Sequence, residues 1–273
     1  MIRALVADDN SVARDVVKSG ISVHSTKRYI EIDAVANGAD ALALLQKKPI
    51  DIAFIDINMP GLEGPDVVSA MRGSKSEHCL TIAMSTSMNQ KAEAVLRAYG
   101  AYHFLQKPFT PDQVAEIFET YMMMTTAYPI LVVDDSATMR KLTRKVLENS
   151  RFAFDIGEAD SAETALRVIA GGKYRLVLTD FNMPGADGLE LAGAIRDLSS
   201  KIDVYMMSTN DTTYLERSAA FIGIAGFLKK PFGPSDIDTI MHKYLGLDDP
   251  SFGKERDMFS FLARDNRSHA ATA

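Results

Sequence analysis

Sulfur chemistry is almost absent from this chain: there is one cysteine, Cys79, in 273 residues. That excludes an intrachain disulfide framework and suits a reducing, cytoplasmic setting. The histidines are few as well, five in all and scattered, with none placed beside Cys79, so no zinc-type ligand grouping competes. Basic residues are outnumbered by acidic ones, 30 against 36, and the net charge of −6 leaves no electrostatic footprint for nucleic acid. Long apolar runs are missing too. The least charged stretch, residues 121–133, holds Pro129 and is too short to cross a bilayer, so no membrane insertion is expected. At the amino end Asp8 and Asp9 interrupt the first apolar run well before it reaches the length of a secretion signal.

What the chain does have is a repetition. Asp8, Asp9, Asp56, Ser85 and Lys107 recur in the same order as Asp134, Asp135, Asp180, Ser208 and Lys230, each roughly 125 residues after its counterpart. Spacing that nearly constant means two copies of one domain. The length supports this, since a domain of roughly 100 to 150 residues can bury its own core. We place the first domain at 1–124, a linker at 125–129, the second domain at 130–247 and a C-terminal tail at 248–273.

Within each half, short apolar runs alternate with helix-period stretches, the signature of a parallel sheet covered on both faces by helices. The runs are 3–7, 31–36, 50–55, 81–84 and 102–106 in the first half, and 130–133, 154–158, 176–179, 203–207 and 226–229 in the second. Five strands and five helices per half predict an α/β, flavodoxin-like doubly wound domain with strand order 2-1-3-4-5. Thr110, Pro111 and Gln113 mark the start of the last helix of the first half, whose apolar stripe is Val114, Ile117, Phe118 and Tyr121. The matching helix after Pro234 carries Ile237, Ile240, Met241, Tyr244 and Leu245. Met122 and Met123 fall off the first stripe, and packing between the domains competes with simple exposure as their explanation. The tail is too short for a catalytic or DNA-binding domain. Its residues 254–262, with Met258, Phe259, Phe261 and Leu262, carry the pattern of a short amphipathic helix, with disorder as the competing expectation.

The repeated residues belong together because of where the strands end. Asp8 and Asp9 close the first strand, Asp56 the third, Ser85 the fourth and Lys107 the fifth. In an open parallel sheet the ligand crevice lies at the carboxyl ends of the strands, where the strand order switches, so all five side chains converge there. Carboxylates crowded in one crevice repel, by about 4 kcal/mol for a pair 4 Å apart at an effective dielectric near 20. Such a cluster calls for a cation, and an all-oxygen set with few protein ligands suits hydrated Mg²⁺. A metal beside a carboxylate and a lysine is equipment for phosphoryl transfer, with the carboxylate itself able to serve as nucleophile and become an aspartyl phosphate.

Sequence motifs around these residues carry a family resemblance. VADDN and VVDDS, FIDINMPGLEG and LTDFNMPGADG, the two MST triplets, and QKPF and KKPF resemble the receiver domain of two-component response regulators over residues 1–124 and 130–247. The second copy, with DDSATMRKL, is most similar to single-domain chemotaxis regulators. The resemblance implies that Asp56 and Asp180 are phosphoacceptors. It further implies that Asp9 and Asp135 bind Mg²⁺ directly, that Asp8 and Asp134 do so largely through water, and that Asn58 and Asn182 offer backbone carbonyls. Lys107 and Lys230 would meet phosphoryl oxygens, Ser85 and Ser208 would bond them through the hydroxyl, and Phe104 and Phe227 would be the aromatic switch. Lys107-Pro108 and Lys230-Pro231 resemble the family's cis peptides. Lys229 precedes Lys230 on a strand and should point to the opposite face.

Departures are modest. Serine stands at 85 and 208 where threonine is commoner, phenylalanine holds both switch positions, and Ser87 faces Asn210 as the counterpart at a position that influences water access. The function implied is a Mg²⁺-dependent phosphoacceptor of a phosphorelay, loaded by a histidine kinase or phosphotransfer protein and read out through contact with a downstream protein partner, without an output domain of its own. It would be no enzyme beyond its own phosphotransfer and dephosphorylation. Two alternatives stay open: one receiver signals while the other is a phosphate sink, or the pair is a phosphorylation-independent adaptor. An aspartate-based phosphatase is disfavoured, because Asn58 and Asn182, not acids, stand two residues after the acceptors.

Overall fold

Central strands of a doubly wound sheet are buried on both faces, and this chain builds two such sheets from ten parallel strands. The structure is a computed structural model that describes residues 1–252 except 25–27, 72, 77, 186 and 210–222. In chain order the first half runs β1 (Ile2–Ala7), α1 (Ser11–Ser22), β2 (Ile30–Val35), α2 (Gly38–Lys47), β3 (Ile52–Asp56), α3 (Gly64–Ala70), β4 (Leu80–Ser85), α4 (Gln90–Ala98), β5 (His103–Gln106) and α5 (Pro111–Met124). The second runs β6 (Tyr128–Val133), α6 (Ala137–Glu148), β7 (Phe154–Ala159), α7 (Ala162–Ile169), β8 (Leu176–Asp180), α8 (Gly188–Leu198), β9 (Asp203–Ser208), β10 (Ile224–Lys229) and α9 (Pro234–Leu245).

The sheets are ordered β2-β1-β3-β4-β5 and β7-β6-β8-β9-β10, the same topology twice, as the apolar runs predict. All ten strands lie where those runs are, with ends displaced by at most two residues. The fifth helix expected in the second half falls between β9 and β10, outside the described residues, as does the 254–262 helix. The chain divides into one unit of Met1–Met123 with Leu247–Glu255, and another built on Met124–Gly246. Among the described residues no helix is long and apolar enough to cross a membrane.

Register decides which side chains meet. Ala7 pairs with Ile55 across β1 and β3, so the next step places Asp8 beside Asp56; Val133 and Thr179 do the same for Asp134 and Asp180. Helix caps fix the chain immediately after each acidic pair. Asn10 Oδ1 accepts from the Val12 and Ala13 amides at 2.9 and 3.4 Å, and Ser136 Oγ accepts from Met139 N–H at 3.4 Å, starting α1 and α6. The Thr110 and Gln113 box is formed as expected, by Thr110 N–H to Gln113 Oε1 at 2.9 Å and Gln113 N–H to Thr110 Oγ1 at 3.4 Å. On α5 Val114, Phe118 and Tyr121 are buried and Ile117 half-buried, while Met122 and Met123 are half-buried.

The start of the tail packs on the first unit: Phe252 lies in the core cluster that includes Leu96 and Ala101.

Candidate functional site

At the carboxyl end of each sheet three carboxylates gather, Asp8, Asp9 and Asp56 in one unit and Asp134, Asp135 and Asp180 in the other, with one oxygen of each within 4.8 Å of the rest. Asp8 and Asp134 are buried and Asp9 and Asp135 exposed. Each buried member is fixed by its own turn: the amide of Asn10 donates to Asp8 Oδ1 and that of Ser136 to Asp134 Oδ1, both at 2.9 Å.

A lysine spans two of the three acids. Lys107 Nζ lies 2.7 Å from Asp8 Oδ2 and 3.0 Å from Asp56 Oδ2; Lys230 Nζ lies 3.0 Å from Asp134 Oδ2 and 2.8 Å from Asp180 Oδ1. Part of the repulsion foreseen among the carboxylates is therefore met by the chain's own ammonium. Lys229 is exposed, as strand alternation requires. Both lysines are followed by a cis proline.

Burial is the main influence on Asp56. It raises the carboxyl above its ordinary pKa, helped by the charge of Asp8 and opposed by the Lys107 hydrogen bond. Burial also works against the charge on Lys107 and Lys230, but hydrogen bonds to their paired aspartates outweigh it and hold both pKa values above the ordinary lysine value. Ser85 and Ser208 are buried at the ends of β4 and β9. In the first unit Asn58 Nδ2 donates to Ser85 Oγ at 3.1 Å, so the Asn58 side chain has a role beyond the carbonyl the sequence suggested. Phe104 and Phe227 are half-buried, three residues before each lysine. Ser87 is exposed, with its amide 3.4 Å from Ser85 Oγ; Asn210 lies outside the described residues.

Sequence reasoning missed two arginines. Arg14 Nη1 donates to the carbonyls of Asp8 and Asp9 at 2.6 and 3.1 Å, and Arg140 Nη1 to those of Asp134 and Asp135 at 2.8 and 3.3 Å. Their signal was available, because they keep the repeat's spacing. Gly64 and Gly188 were missed for another reason: a Cβ there would sit 2.3 and 2.4 Å from the carbonyl oxygens of Asp56 and Asp180, so only glycine lets α3 and α8 start so close to the acceptor.

The donor set fits a hard divalent cation. Every contributor is oxygen, and one member of each acidic pair is open to solvent.

Comparison with known proteins agrees with the geometry. The response regulator receiver domain family matches the chain twice, over residues 4–119 and 130–242. The chemotaxis protein CheY of Pseudomonas aeruginosa is 34% identical over 105 residues, an alignment covering 38% of this chain and 84% of that protein. The transcriptional regulatory protein ResD of Bacillus subtilis is 32% identical over 162 residues; the match takes in 56% of this chain and only 65% of ResD. A solved two-component system response regulator/GGDEF domain protein overlays 90% of this chain and 98% of its own at a TM-score of 0.57 and 20% identity, a likeness of fold.

Proposed function

Since the chain belongs to the response regulator receiver domain family in both of its halves, we propose that each unit is a phosphoacceptor in two-component signalling, with Asp56 and Asp180 as the accepting carboxylates. The observation that carries this reading is the lysine that joins the acceptor to the buried aspartate in each unit, at 3.0 Å or less. In the step proposed, an Asp56 or Asp180 oxygen attacks the phosphorus of a phosphohistidine on a histidine kinase or phosphotransfer protein. The O–P bond forms as the P–N bond breaks, and the departing imidazole keeps the electron pair. Lys107 or Lys230 offers its ammonium to the phosphoryl oxygens, and the Ser85 or Ser208 hydroxyl donates to another.

Asp9 and Asp135, with Asp8, Asp134, the acceptors and the carbonyls of Asn58 and Asn182, would hold Mg²⁺. When bound, the ion supplies neutralising charge for the carboxylates and the phosphoryl group. Phe104 and Phe227 would respond to the Ser85 and Ser208 hydroxyls, and the output would pass to a downstream protein in the cytoplasm. Beyond its own phosphotransfer and dephosphorylation we assign no enzymatic activity. Intact mass after treatment with a small phosphodonor and Mg²⁺ tests the reading. Up to two phosphoryl groups are expected, one being lost in Asp56→Asn and one in Asp180→Asn. A wild-type chain that takes none, under conditions that load a control receiver, would falsify it.

A second reading, in which one unit signals and the other drains phosphate, is favoured by a difference between the acceptors. The Asp56 side chain is 5% exposed against 16% for Asp180. Unequal phosphate lifetimes in the two single-acceptor variants support it, and equal lifetimes refute it.

A further inference from the structure

We propose that residues 248–252 are an intramolecular ligand of the first unit, one that closes the outer edge of β5 and covers the surface beside Phe104, so that an outside protein using this surface must first displace it. β5 ends its sheet, and an outermost strand presents backbone groups to any extended chain that can pair with them. Here the chain itself takes that place. Phe252 N–H donates to the Tyr102 carbonyl at 3.3 Å, and Phe104 N–H donates to Ser251 Oγ at 3.3 Å.

Ser251 makes a second contact, 3.0 Å from His103 Nδ1. Because the serine oxygen already accepts from the Phe104 amide, its hydroxyl hydrogen is available to a neutral Nδ1. Burial holds His103 below its ordinary pKa, against the opposing charge of Asp248, which favours the neutral ring whose Nδ1 can accept from that hydroxyl. Beside this polar pair Phe252 is 5% exposed, in the cluster with Leu96 and Ala101 against which Phe104 also packs. One main-chain bond and one bond to a serine side chain at a strand edge, combined with a buried aromatic anchor, resemble the way folded domains take up peptides at the edge of a sheet.

Tethering explains why so short a segment suffices. Tied to the chain that it binds, it acts at an effective concentration on the order of millimolar, so a contact too weak to hold a free peptide stays populated. A competing partner has to overcome that local concentration. This docking requires no phosphorylation, so it stands or falls separately from the reading of Asp56 as acceptor.

Backbone amide exchange by NMR in the full-length chain tests it directly, through the amides of Phe104 and residue 252. In Phe252→Ala and in Ser251→Ala the Phe104 amide should exchange about tenfold faster or more, with β6 and β8 amides unchanged. A synthetic peptide of residues 247–253 should bind the Phe252→Ala chain and fail to bind wild type, whose surface is already covered. Phe104 exchange that is unaltered in both variants overturns the proposal. Equal peptide binding by wild type and variant does so too, and protection that rises with protein concentration would assign the segment to a second copy.

Discussion

Arg14 and Arg140 hold no ligand and carry no part of the proposed chemistry, yet each clamps the two carbonyls that follow the first strand of its unit. Groups that orient ligating carboxylates from behind typically matter 10- to 100-fold for metal affinity, so Arg14→Ala should weaken Mg²⁺ binding by about that factor while Asp56 stays in place. Titration of Mg²⁺ against Asp135→Asn, with and without Arg14→Ala, isolates the first site; an unchanged dissociation constant removes the arginine from the account. Asp56 supports a prediction with a definite sign. Its folded-state pKa lies above the ordinary 3.8, so its contribution favours folding below that pH and is lost as pH rises through the folded value. At neutral pH the ionised carboxylate therefore opposes folding. Asp56→Asn should raise the thermal stability of the first unit at pH 7 in chelator, and the gain should shrink toward acid pH. A loss of stability at pH 7 would mean that the Lys107 pair, and not burial, governs this carboxylate.

Among the elements, strands were the most legible in sequence, and the reason is burial. β1, β3 and β4 lie under helices on both faces, so Leu5, Val6, Phe54, Ile55 and Ile82 follow one another as apolar runs bounded by Asp, Ser or Asn. The acidic pairs were legible because they end those runs. Pairing with β7 extended one strand end: β6 opens at Tyr128, whose amide reaches the Ala153 carbonyl at 2.9 Å, although Pro129 had seemed to mark the linker. Helix α5 behaves as its stripe predicts. Phe118 is fully buried, with ring centroids 5.7 Å from both His24 and Tyr121, and Phe118→Ala should cost about 3 to 5 kcal/mol in chemical unfolding of the first unit. A cost below about 1 kcal/mol would mean that the helix does not depend on that face. The docking of Ser251 and Phe252 was illegible, because a few residues after a proline carry no periodicity and their partners lie about 150 positions earlier.

At the scale of the whole molecule the repeat makes a separable prediction. Each unit has its own core cluster and its own acidic site, so cation binding should stabilise them individually. For a saturated site the gain is about 2.7 kcal/mol at a hundred times the dissociation constant. Asp9→Asn should abolish it for the first unit only, and Asp135→Asn for the second only, in melts with and without Mg²⁺ followed by probes in each unit. If one substitution removes both gains, the sites are not independent. The central claim, that Asp56 and Asp180 are the groups that take phosphate, is tested most directly by reductive trapping of the acyl phosphate followed by peptide mapping. The account predicts label in two peptides, at Asp56 and at Asp180, each lost when that residue alone is changed to Asn; label at any other side chain, or at either site after its substitution, would contradict it.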